Sequence, residues 1–186
     1  MKLSRYTLIS FLLLIVIAAI YRAIPGRPWG FAPQFAMAIF GGSVLKDKKM
    51  SFLLPILSLL ISDFLYEILF INGLTDIQGF YSGQIENYVL FASLTFVGFF
   101  VNQKNVASVA KGSLASPTIF FFASNLMVWL GSGGLGRAKS FEGLLQTYSD
   151  GLPFYGNSVV ATFVFSTVLF GSHYLIQQTS FGKKVA

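Results

Sequence analysis

The chain has 186 residues, of which 54% are hydrophobic and 11% charged, with a formal net charge of +6. Soluble domains usually carry about 25% charged residues, so this composition indicates an integral membrane protein of one domain and excludes an ordinary soluble enzyme. The chain has no cysteine, which excludes disulfides and thiolate metal sites. The single histidine, His173, cannot form a histidine-rich metal site. We therefore expect no metal and no cofactor.

Apolar segments follow one another along the chain, and a helix needs about 20 mostly apolar residues to span a bilayer. The first segment has a basic start like that of a signal peptide, but no small-residue cleavage site follows it, so we interpret it as a retained helix. The second is short and ends at the basic run KDKK. The sequence predicts an all-α bundle of six transmembrane helices, over about residues 6–24, 33–45, 50–72, 85–101, 113–130 and 157–176.

The long loop between the fifth and sixth predicted helices contains SFEGLLQTYSDG, which has the pattern of a short amphipathic helix. Ser140 can cap the start of this helix, Glu142 lies in its first turn, and Gly151 can end it. We expect this short helix to lie in the membrane interface or over the bundle.

The distribution of lysine and arginine predicts the orientation, because basic loops stay in the cytoplasm. With six spans, both termini and the loops after the second and fourth helices lie on one side. That side carries Lys2, Arg5, Lys46, Lys48, Lys49, Lys104, Lys111, Lys183 and Lys184, and the other side carries Arg22, Arg27, Arg137 and Lys139. Both termini are therefore predicted to be cytoplasmic, in a bacterial cytoplasmic membrane. Basic residues in short runs between apolar segments also favour membrane topology over nucleic-acid binding.

This orientation places several polar residues in the outer half of the predicted bundle. The third helix rises from the inside by about 1.5 Å per residue, so Asp63 lies in the outer half and Glu67 one turn above it. A charge that faces lipid costs at least about 2.5 kcal/mol, so we expect these groups to line an outward-opening pocket. The candidate ligand-binding residues are Asp63, Asn125, Trp129, Gln34, Arg22, Arg27, Glu67 and Asn157.

The main candidates also have structural interpretations, and the sequence leaves both open. Asp63 can pair with Arg22, bind a ligand, or do both, and Glu67 can simply be solvated at the membrane interface. Asn125 can hydrogen-bond between helices, and Trp129 can anchor its helix in the interface.

Small residues recur at intervals that allow helices to approach closely. Ala19 and Ala23 form an A-x-x-x-A pattern near the outer end of the first helix, and Gly41 and Gly42 lie near the inner end of the second. Because lipid provides no hydrophobic drive between helices, such residues serve packing in membranes. They predict either internal packing or docking to another membrane subunit.

Motifs of nucleotide-binding and hydrolytic enzymes are absent from the sequence. It contains no G-x-x-x-x-G-K-[ST], no H-E-x-x-H and no G-x-S-x-G. We therefore do not expect an enzyme.

Four stretches carry a family resemblance: PQFAMAIFGGSVL (33–45), LPILSLLISD (54–63), SNLMVWL (124–130) and EGLLQTYSDGLPFYGNSV (142–159). Together they resemble an uncharacterised bacterial family of small membrane proteins, generally grouped with the substrate-binding S components of energy-coupling-factor (ECF) transporters. The resemblance implies six helices and a vitamin- or metabolite-sized ligand. It also implies an outer pocket covered by the loops after helices one, three and five.

The same resemblance implies partners, because S components dock on a transmembrane coupling subunit driven by two ATPases. The pattern at Ala19 and Ala23 is similar to that of their docking helix. The favoured interpretation is a substrate-binding component for the uptake of a small nutrient. The alternative is a structural subunit of a larger membrane complex that binds no small molecule.

Overall fold

The computed structural model describes residues 5–131 and 136–178, and these residues form seven helices and no strand. The helices are α1 (Arg5–Ala23), α2 (Gln34–Val44), α3 (Lys48–Ile71), α4 (Gln84–Ser93), α5 (Thr95–Phe99), α6 (Val106–Leu130) and α7 (Phe141–Gln178). The predicted all-α class is confirmed for this part of the chain. Three of the basic residues counted for the orientation, Lys2, Lys183 and Lys184, lie outside the described residues.

Three helices, α3, α6 and α7, are long and apolar enough to span a membrane by length and composition, and α1 and α2 contain shorter apolar stretches. On α1, Phe11, Ile15 and Ala18 are buried, while Leu13 and Ile17 on the other face are 56% and 62% exposed. A helix that is apolar on both its inner and outer faces is typical of a bundle solvated by lipid. The fold therefore indicates a membrane protein.

Local sequence signals explain where three of the helices begin. The carboxylate of Asp47 accepts hydrogen bonds from the backbone N–H groups of Lys49 and Met50, at the start of α3. Asn105 likewise accepts the N–H of Ser108 at the start of α6. The hydroxyl of Ser140 accepts the N–H of Gly143 at 3.2 Å, which confirms the predicted cap. Each cap satisfies backbone donors that a helix start leaves free.

The central helix is α2, which packs against α3, α5, α6 and α7 and is almost entirely buried. Its contact with α5 depends on two glycines. A Cβ on Gly42 would lie 2.4 Å from the carbonyl oxygen of Thr95, and one on Gly98 would lie 2.4 Å from that of Ile39. The two backbones therefore touch directly, which confirms internal packing for this end of α2.

The small-residue pair on α1 lies partly in the interior. Ala19 is fully buried, and Ala23 is half-buried. The position of Ala19 favours the packing interpretation, and docking to a partner stays a prediction.

The fourth predicted helix is interrupted, which corrects the continuous span expected over residues 85–101. The chain forms α4 and α5 with Leu94 between them. At the two ends of α5, some backbone hydrogen bonds join residues three apart, from the N–H of Val97 to the Leu94 carbonyl oxygen and from the N–H of Phe100 to that of Val97. This tighter winding occurs where α5 lies backbone-to-backbone against α2.

The short interfacial helix predicted before the last span is also corrected, since it is continuous with that span in α7. Gly151, which the sequence predicts to end a helix, lies inside α7. Its missing side chain makes room for the side chain of Asn125. A Cβ there would be 2.6 Å from the Asn125 side-chain oxygen. Asn157, expected to begin the last helix, likewise lies in the interior of α7.

Candidate functional site

A partly buried ion pair joins α1 to α3. The guanidinium of Arg22 donates to Oδ1 of Asp63, whose side chain is only 2% exposed. The other carboxylate oxygen accepts hydrogen bonds from Gln84 Nε2 at 2.7 Å and from the Tyr88 hydroxyl at 2.6 Å. The pairing interpretation of Asp63 is therefore confirmed, and both of its oxygens are occupied by the protein itself.

The residues around Arg22 come from one face of α3. Ser62 accepts a second hydrogen bond from the same guanidinium nitrogen. Tyr66, three residues after Asp63 and therefore on the same helical face, donates its hydroxyl to the Arg22 carbonyl oxygen at 2.7 Å. Its ring centroid lies 5.5 Å from the guanidinium carbon. The arginine is thus fixed in position by charge, hydrogen bonds and an aromatic face.

An open cavity of about 400 Å³ lies against this ion pair. That volume is in the range of small-molecule sites. Its lining includes Arg22, Trp29, Asp63, Tyr66, Asp76 and Tyr81. The cavity therefore combines a charged floor from α1 and α3 with aromatic and acidic groups from two loops, and we call it the ion-pair pocket.

The loop of residues 72–83 is fastened to α3 beside this pocket. The Glu67 carboxylate accepts the backbone N–H groups of Gly79 at 3.1 Å and Phe80 at 3.3 Å. Gly79 lies so close to α3 that a Cβ would be 2.0 Å from the Asp63 carbonyl oxygen. Gln84 donates to the Gly79 carbonyl oxygen at 3.0 Å. Glu67 is half-buried and holds the loop through these hydrogen bonds. It is therefore not simply solvated at the membrane interface.

The loop between α1 and α2, which carries Trp29, is held by two of the predicted candidates. Arg27 donates to the carbonyl oxygens of Arg22 at 3.2 Å and Phe31 at 2.6 Å. Asn157 on α7 donates to the Trp29 carbonyl oxygen at 2.9 Å. Arg27 and Asn157 position the loop, and neither is among the residues that line the ion-pair pocket.

Gln34 and Asn125 also join or support helices outside this pocket. Gln34 is buried and donates to the Ser58 hydroxyl at 2.9 Å, which links α2 to α3. Asn125 donates to the Phe121 carbonyl oxygen of its own helix at 2.8 Å and packs on Gly151. It borders a second cavity of about 200 Å³ between α6 and α7.

Trp129 lies beyond Asn125 at the end of α6. Its indole N–H donates to the Ala138 carbonyl oxygen at 2.9 Å, and Lys139 lies over its ring at 5.4 Å.

Of the eight predicted candidates, the structure brings only Arg22 and Asp63 into the lining of the ion-pair pocket.

Sequence reasoning missed most of the pocket lining. Tyr66 was detectable, because it follows Asp63 at helical spacing. Trp29, Asp76 and Tyr81 lie in loops, where no periodic signal assigns an orientation to a side chain.

Apolar helices that are long enough to cross a membrane, with a partly buried ion pair beneath an open pocket, define a helical membrane protein with a candidate small-molecule site. The chain belongs to a family of unknown function, DUF6580, whose model matches residues 2–184. This match agrees with the expected membership of an uncharacterised family. No curated protein and no solved structure matches the chain significantly.

Proposed function

We propose that this protein is a membrane-embedded substrate-binding component for the uptake of a small nutrient or vitamin-like molecule. The observation that carries the proposal is the ion-pair pocket, an open cavity of about 400 Å³. Its floor is fixed by the Arg22–Asp63 pair, and its walls include the rings of Trp29 and Tyr81. A rigid polar floor under aromatic walls suits a ligand that is partly apolar and carries a few polar groups.

In this proposal the chain crosses a bacterial cytoplasmic membrane six times with both termini in the cytoplasm, so the pocket opens outward. The basic run that includes Lys46, Lys48 and Lys49 precedes α3, whereas the pocket lies towards the other end of that helix. That distribution supports the orientation. Because the sequence has no nucleotide-binding motif, transport would use ATPases and a transmembrane coupling subunit, as the resemblance to ECF transporters implies.

A thermal-shift screen of the purified protein in detergent against vitamins and related metabolites tests binding directly. A ligand at 100 times its Kd stabilises the folded state by about 2.7 kcal/mol. We expect at least one compound to stabilise the protein, and Trp29→Ala to abolish that effect. Trp129→Ala is the matched control and should leave it intact. A folded protein that no compound stabilises would contradict the proposal.

A second candidate function is a structural subunit of a larger membrane complex. The observation that favours it is Asp63, whose two oxygens are both satisfied within the chain. Purification of the tagged protein from native membranes separates the two functions. Stable recovery with subunits other than ATPases, together with loss of that assembly in Asp63→Asn, would favour the structural function.

A further inference from the structure

The lining of the ion-pair pocket carries a net negative charge. Its charged lining groups are Arg22, Asp63 and Asp76. Arg22 and Asp63 neutralise each other in the ion pair. Asp76 is exposed on the loop of residues 72–83, and among the described residues no hydrogen bond or ion pair engages its side chain. The pocket therefore retains one uncompensated negative charge.

Nearby charges on the surrounding elements do not cancel it. Arg27 is not among the lining residues and donates to the carbonyl oxygens of Arg22, near the end of α1, and of Phe31. Glu67, whose carboxylate accepts two backbone N–H groups, carries the opposite charge to Arg27, so these two residues outside the lining offset each other. An anionic ligand would have to approach Arg22, whose charge is already matched by a carboxylate that is 2% exposed.

The aromatic lining, like the net charge, would attract a cation. Trp29, Tyr66 and Tyr81 line the pocket, and aromatic faces attract cations, tryptophan most strongly. The Tyr66 ring already faces Arg22. Trp29 is 60% exposed and Tyr81 is 40% exposed, so both remain available to a ligand.

We infer that the ion-pair pocket takes a small organic cation with an apolar body, such as an amine or a quaternary ammonium compound. Asp76 is its counter-ion, and Trp29 and Tyr81 contact its charged and apolar parts. This inference rests on the proposed function, whose substrate class it names.

The chain provides its own fluorescent probe, because Trp29 and Trp129 are its two tryptophans. In Trp129→Phe, all tryptophan fluorescence comes from Trp29 in the pocket. We would titrate this variant in detergent with a set matched in size: benzyltrimethylammonium, benzylamine, benzyl alcohol and benzoate. Trp29→Phe, which leaves Trp129 outside the pocket, is the matched control.

We expect the two cations to change Trp29 fluorescence saturably, with a Kd at least about tenfold lower than that of the alcohol or benzoate. Asp76→Asn should remove this preference for cations, whereas Asp76→Glu, which keeps the negative charge, should retain it. The Trp29→Phe control should show no saturable change with any compound.

The outcomes separate this inference from the proposed function. Saturable binding that favours benzoate or the alcohol, or a cation preference that survives Asp76→Asn, would overturn the cationic substrate class and leave the binding function standing. A folded protein that binds no member of the set would also overturn the cationic substrate class, and the thermal-shift screen then decides the proposed function separately.

Discussion

At the scale of single residues, Asp63 joins three helices through one carboxylate. It is carried by α3 and accepts hydrogen bonds from Arg22 of α1 and from Gln84 and Tyr88 of α4. Removing one partner of a buried ion pair is more costly than the pair's net contribution to stability, because the remaining charge stays buried without compensation. The two ends of the pair should therefore respond strongly to mutation.

We expect Arg22→Met to destabilise the protein by about 3 kcal/mol, since it leaves the Asp63 charge buried and unmatched. The double variant Arg22→Met/Asp63→Leu should recover part of this loss. Arg27→Met is the matched control, because Arg27 contacts backbone carbonyl groups and no carboxylate. Thermal unfolding in detergent, followed by intrinsic fluorescence, measures all three. Equal losses from the two arginine substitutions would contradict a special role for the ion pair.

Glu67 gives a second prediction at this scale, because its carboxylate accepts the N–H groups of Gly79 and Phe80. Hydrogen bonds to charged groups contribute about 1.5–3 kcal/mol, so Glu67→Ala should accelerate amide hydrogen exchange at these residues at least about tenfold. The exposed Glu86 on α4 is the control, and Glu86→Ala should leave their exchange unchanged. Unchanged exchange in Glu67→Ala would show that Glu67 does not hold the loop.

The predictability of the site follows from where its residues lie in the chain. Asp63 was identified because a charge inside an apolar helix is expensive and requires a partner, and Arg22 was an available cation at that depth. Asp76 and Trp29 were missed because the loops that carry them have no periodicity. Their placement depends on long-range contacts, such as Glu67 with Gly79 and Asn157 with Trp29.

At the scale of helices, the contact between α2 and α5 depends on backbone proximity at Gly42 and Gly98. A methyl group on Gly98 would overlap the Ile39 carbonyl oxygen, so we expect Gly98→Ala to destabilise the protein by about 1–3 kcal/mol. Gly171→Ala is the matched helical control, because a Cβ there meets no atom within 4 Å. It should be neutral or slightly stabilising, since glycine is a poor helix former. Thermal unfolding of both variants decides this, and similar melting temperatures would contradict the close contact.

Helix boundaries were predictable where apolar runs meet polar residues, but α6 begins at Val106, at the Asn105 cap, and not near residue 113 as predicted. The apolar runs and the polar residues that flank them placed α2 and α3 to within two residues. The predictions were wrong where tertiary contact overrides local preference. Gly151 resembles a helix end in the sequence, yet it serves as the contact surface for Asn125 inside α7. Pro153 also lies inside α7.

At the scale of the whole molecule, two contacts determine the course of α4 and α5 relative to α3. Gln84, at the start of α4, hydrogen-bonds Asp63, and Phe99, at the end of α5, lies 4.2 Å beneath the Lys48 ammonium. Lys48 and Asp63 are separated along α3 by about 22 Å, at 1.5 Å per residue. The interrupted α4–α5 segment therefore runs antiparallel to α3 over most of the thickness that a membrane span requires.

This course predicts that the residues before α4 and after α5 lie on opposite sides of the membrane. Because the chain has no cysteine, single cysteines at the exposed positions Gln78 and Lys104 can be labelled without background. In intact cells, a membrane-impermeant maleimide should label Gln78→Cys, on the pocket side. Lys104→Cys should react only after permeabilisation, and so should Lys49→Cys, which reports the side on which α3 begins. If Lys49→Cys and Lys104→Cys were labelled in intact cells and Gln78→Cys were not, the predicted orientation would be the wrong way round. Equal labelling of Gln78→Cys and Lys104→Cys would mean that α4 and α5 do not cross, and the six-span topology would be wrong.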